Sequence, residues 1–307
     1  MTKIISVVPN ISEGRDAAFI EGLRARLEAV PELMVLDVAM DQVRNRTIFS
    51  FTGPREAVFQ GGFLVYEAAL GRIDMRHHEG EYPRIGAVDA FPFVALKNAT
   101  VEEAAEWAQA FAQEVGQRFQ VPVYLFGEAA RTPMRRDIEA IREGEYEGFA
   151  QKMADPAWKP DFGPDTFPAD KGATMIGARL PIVNLKAYLT TGDEEAAEWT
   201  AHALSGATSG MPGVKFYPGL DRTRGLALLN ITVGNYRATP LYRILGAIRT
   251  ELHRFGAGIS RVETVGLVPQ GALIDSALHH LQVVGFQEEE VVETRLDQIL
   301  SQRFTLG

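Results

Sequence analysis

The stretch TIFSFTGPREAVFQGGFLVYEAAL, residues 47–70, decides the fold. TIFSFTG (47–53) reads as a strand that stops at Gly53-Pro54. Pro54 then opens a helix to about Leu70, because its fixed φ suits a first turn and its missing N–H is not needed there; Val58, Phe63 and Leu64 are its apolar residues. Downstream, AVDAFPFVAL (87–96) alternates as a strand does. Upstream, LMVLDV (33–38) is a further strand, and residues 17–29 place Phe19, Leu23 and Leu27 on one helical stripe. KIISVV (3–8) is β-branched and ends at Pro9-Asn10. The order is β-α-β-β-α-β, the split βαβ or ferredoxin-like unit. An appended helix follows, opened by a Thr100/Glu103 capping box with Ala104, Ala108, Phe111 and Val115 inward, and then a strand, VPVYLF (121–126).

The second half repeats this order without repeating the sequence. LPIVNLKAYL (180–189) is a strand, Asp193 caps a helix to about Leu204, and GVKFYPGL and GLALLNITVG are strands. Thr239-Pro240 begins a helix with Leu241, Ile244, Leu245, Ile248 and Leu252 on one face, and ISRVETVGLV (259–268) closes the series. The expected class is α+β, with two tandem ferredoxin-like (βαββαβ) subdomains over residues 1–179 and 180–307 and a ligand cleft between them. Residues 127–173, rich in Pro, Gly and Asp, read as a long irregular stretch.

Composition narrows the function. The chain has 307 residues, 46% hydrophobic and 23% charged, which suits a globular protein with a sizeable core. A formal charge of −9 argues against general affinity for nucleic acid. The absence of cysteine excludes disulfides, thiolate zinc sites and a cysteine nucleophile. MTKIISVVPN is too short and too quickly polar for a signal peptide, and no apolar run could span a bilayer, so a cytoplasmic protein that does not bind membranes is expected.

The candidate chemistry clusters in RHHEGEYPRIG (76–86). His77 and His78 are adjacent and point apart on an extended chain, so the spacing does not offer a metal site. His78, Glu79 and Glu81 lie on a loop bracketed by Gly80 and Gly86 and stiffened by Pro83. Read from spacing alone, this is either an acid–base loop or a solvated polar one. In VRNRT (43–47), Arg44 and Arg46 either clamp a carboxylate or pair with acidic neighbours. The run from Gly163 to Gly172 lacks dinucleotide spacing and is either a close approach to a flat ligand or a plain linker.

Taken in order, VPNISEGRD (8–16), NRTIFSFTGP (45–54), IDMRHHEGEYPRIGAVDAFPF (73–93), VPVYLFGEAAR (121–131), IREGEYEGF (141–149), DFGPDTFPADKGATMIGAR (161–179) and VGLVPQGALIDSA (265–277) resemble the formiminotransferase part of the formiminotransferase-cyclodeaminase family. The resemblance is close over most of the first 179 residues and loose over 180–264. It implies two ferredoxin-like subdomains with folate between them, usually in a homodimer, and transfer of a formimino group from N-formimino-L-glutamate to N5 of tetrahydrofolate in histidine degradation. Tetrahydrofolate is then a substrate, and no metal is expected. In two-part members a helical cyclodeaminase follows, and this chain is too short to hold one. The resemblance assigns folate to the 163–172 segment (Gly163, Pro164, Asp165, Thr166, Phe167 and Gly172), with Asn10 as a further partner. The substrate carboxylates need cations, for which Arg44, Arg46, Arg84 and Arg179 are available.

This sequence departs from the family pattern at the catalytic position, where Tyr82 stands for the family's histidine. Ala39 replaces the second aspartate of an Asp-Val-Asp run, and Lys171 replaces a tryptophan. A tyrosine hydroxyl at neutral pH donates a proton or hydrogen bond more readily than it removes one. The leading expectation is a glutamate formimidoyltransferase with Tyr82 and His78 at the reacting end. The alternatives are a relative with altered one-carbon folate chemistry and a folate-binding protein without catalysis.

Overall fold

The computed structural model describes residues 3–205 and 211–304, the last five by backbone alone. The chain divides into two compact units, Thr2–Leu180 and Pro181–Gly307. Both are built from helices and sheets, and the class is α+β.

The first unit begins with β1 (Ile4–Val7) and β2 (Asn10–Ile11), one strand line interrupted at Val8-Pro9, where the proline has no N–H to give the ladder. α1 (Ala17–Glu28) follows, capped by the Asp16 carboxylate on the Phe19 N–H at 3.0 Å, with Leu23 and Leu27 buried. β3 (Met34–Asp41) and β4 (Arg46–Thr52) form a hairpin. α2 (Arg55–Arg72) starts after Pro54, and β5 (Val88–Lys97) closes the β-α-β-β-α-β series. α3 (Val101–Phe119) carries the expected capping box, Glu103 N–H to Thr100 Oγ1 at 3.2 Å and Thr100 N–H to Glu103 Oε2 at 2.9 Å. α2 and α3 meet at Gly62, where a Cβ would stand 2.5 Å from the Phe111 ring. Phe63 and Leu64 of α2 are only partly buried, and Val58, Val65, Tyr66 and Ala69 form its core face.

The expectation of a long irregular stretch after residue 127 is corrected by the structure. After β6 (Val123–Gly127), the chain forms α4 (Ile138–Arg142) and α5 (Glu145–Ala154), then β7 (Thr174–Arg179). The helices are short and separated by Gly144 at φ +87°, so neither is long enough to show a helical repeat. β7 lies inside the sheet, parallel to both β5 and β6, and strands buried on both faces lose the alternation that marks a strand in sequence.

In the sheet, β1 lies between β5 and β4, and β3 pairs with β4 at the edge. One face carries Phe49, Phe51, Phe91 and Phe93 into the main core with α1 to α3. The other packs Ala90, Tyr124, Phe126 and Met175 against Ile141, Phe149 and Met153 of α4 and α5.

The second unit runs β8 (Val183–Leu189), α6 (Glu194–Leu204), β9 (Val214–Asp221), β10 (Leu226–Val233), α7 (Leu241–Leu252) and β11 (Ile259–Val265). Its antiparallel sheet has the order β11-β8-β10-β9. Counted along the chain this is fourth-first-third-second, the same order as β5-β1-β4-β3 in the first unit. α8 (Gln270–Leu281) and α9 (Val292–Phe304) complete the described residues, among which no helix is long and apolar enough to cross a membrane.

Candidate active site

Three segments of the first unit meet at the end of β5. They are the 12–14 loop after β2, the β3–β4 hairpin tip, and the 74–87 loop that carries Tyr82. The hairpin turns through Asn45 in the left-handed region (φ +49°), which a short polar side chain tolerates. Asn45 joins all three segments. Its Oδ1 accepts from Gly14 N–H at 2.9 Å, its Nδ2 donates to Glu79 O at 2.8 Å, and its carbonyl accepts from His78 Nε2 at 3.1 Å. Gly14 must be glycine here, since a Cβ would sit 2.3 Å from Asp41 O.

The far end of the 74–87 loop is held through its own backbone groups. Ile85 N–H donates to Asp89 Oδ1 at 2.9 Å, and Ser12 Oγ donates to Gly86 O at 2.8 Å. Gly86 bridges to Gly172, and a Cβ on Gly86 would stand 2.1 Å from Ala173 O. Gly172, at φ +72°, is equally confined by Ile85 O. The 163–172 segment therefore joins the Tyr82 loop at its C-terminal end. Its other end lies elsewhere. Gly163 packs on Val121 O and against Gly116 of α3, Asp165 pairs with Lys159 at 3.5 Å, and the Phe167 ring lies tilted against Tyr146 and Phe149. Pro164 is half-buried and Thr166 exposed. Asn10 is buried on β2 with its Nδ2 donating to Val8 O at 2.8 Å. Lys171 Nζ caps the end of α3 through Phe119 O at 3.1 Å.

The arginines, equivalent in sequence, differ in the structure. Arg44 is exposed at the hairpin tip and pairs with Asp41 at 3.1 Å. Arg84 is buried, and its fork is filled by Glu147 of α5 (Nη1 to Oε2 2.9 Å, Nη2 to Oε1 2.8 Å). Arg179 stands opposite Val94, four residues along β7 from Met175, which faces Ala90; that is roughly 13 Å of strand, and it does not join the cluster. Arg46 has no carboxylate partner among the described residues, and its guanidinium lies over the Tyr82 ring at 3.9 Å. Burial, with the nearby charge of Arg142, pulls Arg46 below the ordinary guanidinium range.

Arg142 of α4 approaches the same ring, its guanidinium 5.2 Å from the centroid. It is 6% exposed and paired at 2.5 Å with Asp89, which is 1% exposed. Burial opposes the charge on Arg142, but Asp89 holds the group well above its ordinary value. Tyr82 is thus half-buried beside two cations, Arg142 in a salt bridge and Arg46 without one among the described residues. Ser12, Arg46, His78, Tyr82, Arg84 and Asp89 line a shallow depression that leaves no room for a water molecule inside it. Whole-ligand sites span roughly 300–1,000 Å³, so a ligand enters here only when these side chains part.

Both ring nitrogens of His78 are engaged, Nε2 with Asn45 O and Nδ1 with Arg84 Nε at 3.2 Å. An acceptor on one side and a donor on the other select the neutral Nε2–H tautomer. Burial lowers the His78 pKa, Asn45 opposes this, and the Arg84 charge adds to it.

Sequence reasoning missed Asn45, Asp89, Arg142 and Glu147. An aspartate inside the apolar run AVDAFPF was the available signal for Asp89.

The profile of the formiminotransferase domain, N-terminal subdomain, matches residues 4–179. The glutamate formimidoyltransferase of Streptococcus pyogenes serotype M1 is 32% identical over 297 residues, spanning 96% of this chain and 99% of that protein. That of Thermoplasma acidophilum is 35% identical over 297 residues, spanning 96% and 98%. The formimidoyltransferase-cyclodeaminase of Mus musculus is 34% identical over 282 residues, which are 90% of this chain and 52% of that protein. With a domain profile covering over half its length and relatives above 30% identity over nearly all of it, the chain belongs to the formiminotransferase family.

Proposed function

We propose that this protein is a glutamate formimidoyltransferase, moving a formimino group from N-formimino-L-glutamate to N5 of tetrahydrofolate in histidine degradation. The observation that carries the reading is the placement of Tyr82, which the resemblance sets at the family's catalytic position, against Arg46, which has no salt-bridge partner among the described residues. Similarity over nearly the full length of two proteins named for this activity supports it.

In this scheme Arg46 receives a donor carboxylate, a charge-assisted contact in a half-dry site. N5 attacks the formimino carbon, and a tetrahedral intermediate forms. The new C–N bond costs N5 its proton, and the C–N bond to glutamate breaks as the departing nitrogen gains one. Tyr82 Oη donates to that nitrogen, and the resulting phenolate takes the proton from N5, so the residue ends as it began. Arg46 and Arg142 hold positive charge beside the ring throughout. His78 acts as a positioning residue, because its ring is committed to Asn45 and Arg84. Folate lies along the Asn10 strand and the 163–172 segment, whose C-terminal end is fixed beside the Tyr82 loop by the Gly86–Gly172 pairing.

The shared strand order of the two units supports a pair of ferredoxin-like subdomains, 1–179 and 180–307, as the scaffold. A cytoplasmic homodimer completes the reading. The test is a single-turnover assay with tetrahydrofolate and N-formimino-L-glutamate, beside a titration with 5-formyltetrahydrofolate. Saturable folate binding and transfer of the formimino group are expected. Binding without transfer, with another one-carbon donor consumed instead, favours the altered chemistry that Tyr82 and Ala39 suggest. Absence of binding at millimolar folate overturns both.

A further inference from the structure

The Arg84–Glu147 pair is lopsided. The Arg84 side chain is 9% exposed and that of Glu147 is 64% exposed. The guanidinium is fixed from below by His78, with Nε to the ring Nδ1 and Nη2 to the backbone O, each at 3.2 Å. Its remaining two-pronged edge faces outward and is met by a carboxylate that arrives from the solvent side. A buried guanidinium left without an anion is costly, so some carboxylate must occupy that edge at all times. The exposed Glu147 side chain can swing into water at little cost. Glu145, whose Oε2 lies 3.6 Å from Nη1, is the nearest substitute.

We propose that Glu147 is an exchangeable counter-ion: it holds the Arg84 fork while the site is empty and yields it to a carboxylate of the incoming dicarboxylic substrate. The inference rests on the functional reading above only for the class of ligand, a glutamyl dicarboxylate. Arg84 and Arg46 both line one depression, closed as it stands, so a ligand with two carboxylates spans them only once Glu147 has left the Arg84 fork and the side chains have parted. Glu147 then sets specificity, since only a carboxylate able to match its bidentate geometry displaces it.

The test uses the full chain and calorimetric titration with glutarate and L-glutamate, which need no turnover. Glu147→Gln removes the competing charge, and Glu145→Gln/Glu147→Gln also removes the nearest replacement. Each is expected to tighten glutarate binding about threefold to tenfold, the double variant more, while Arg84→Met abolishes it. Circular dichroism confirms that the variants are folded. Unchanged or weaker glutarate binding in both glutamine variants overturns the proposal, as does absence of binding in every form. If the wild-type chain transfers no formimino group but the glutamine variants still tighten glutarate, the reading of the reaction fails and the counter-ion role stands. If transfer is observed and glutarate affinity does not respond, the reverse holds.

Discussion

Asp89→Asn isolates the charge of the pair beneath Tyr82. Asparagine keeps an oxygen for the Ile85 N–H, which Asp89 accepts at 2.9 Å, so the loop tether survives. What is lost is the anion that faces Arg142 at 2.5 Å, in a place where the two side chains are 2% and 7% exposed. Removing one partner of a buried pair costs about 3–5 kcal/mol, and the lower end is expected here because Arg142 keeps the half-exposed Glu139 carboxylate at 3.2 Å. Arg142 is already short of partners there, its Nε having none. For a unit of this size, the loss corresponds to a fall in Tm of roughly 6–20 °C. Arg142→Met should cost a similar amount by stranding the carboxylate. The double variant should fall at least about 3 kcal/mol short of the summed costs, since it leaves no stranded charge. The three tryptophans are Trp107, Trp158 and Trp199. In a Trp199→Phe background, fluorescence therefore follows only the Thr2–Leu180 unit through urea unfolding. If Asp89→Asn lies within about 1 kcal/mol of its parent, or the costs add without coupling, the pair is not the buried keystone described here.

Tyr82→Phe keeps the ring on Arg46 and loses only the hydroxyl; kcat should drop at least about tenfold with folate affinity little changed, and an unaltered kcat would make the hydroxyl a bystander. Tyr82→His should raise formiminoglutamate turnover only if the natural protein is tuned to a different donor. Arg46→Ala should raise donor KM about tenfold or more, whereas Arg44→Ala, losing an exposed pair with Asp41, should stay within about twofold; equal effects would refute the distinction. His78 is held neutral by burial, so its folded pKa lies below the unfolded value of about 6.5. Its contribution to stability is whole above that value and is lost as pH falls through it toward the folded pKa. His78→Gln does not titrate, and should flatten this limb of the stability–pH curve; parallel curves would show that His78 does not set it.

The scaffold was legible because the hydrophobic period states it. TIFSFTG, the Pro54 start and AVDAFPFVAL place β4, α2 and β5 within a residue or two of their observed limits. β7 was not legible, since TMIGAR is buried on both faces and includes Gly177, packed on Phe126 O. In the site, the 76–86 loop stood out by composition, but its partners did not. Glu147, which settles the state of Arg84, lies 63 residues away, and Arg142 lies 53 residues from Asp89. A linear pattern shows which residues can ionise, and only the fold shows which ionised groups face each other.

The Gly86–Gly172 seam also has a consequence in time. Parallel pairing of β5 with β7 joins Ala90 to Met175, 85 residues later in the chain. At ribosomal speeds of about 5–20 residues per second, that interval lasts roughly 4–17 s. Until it ends, β5 is the edge of the β5-β1-β4-β3 sheet, with eight consecutive residues, Val88 to Ala95, that the finished protein buries. An apolar edge strand left open for seconds can pair with another chain. The Tyr82 loop, meanwhile, lacks its backbone contacts with Lys171, Gly172 and Ala173. The residues that complete the site are the same ones that cover this edge, so a chain released early would be inactive and prone to aggregate at once.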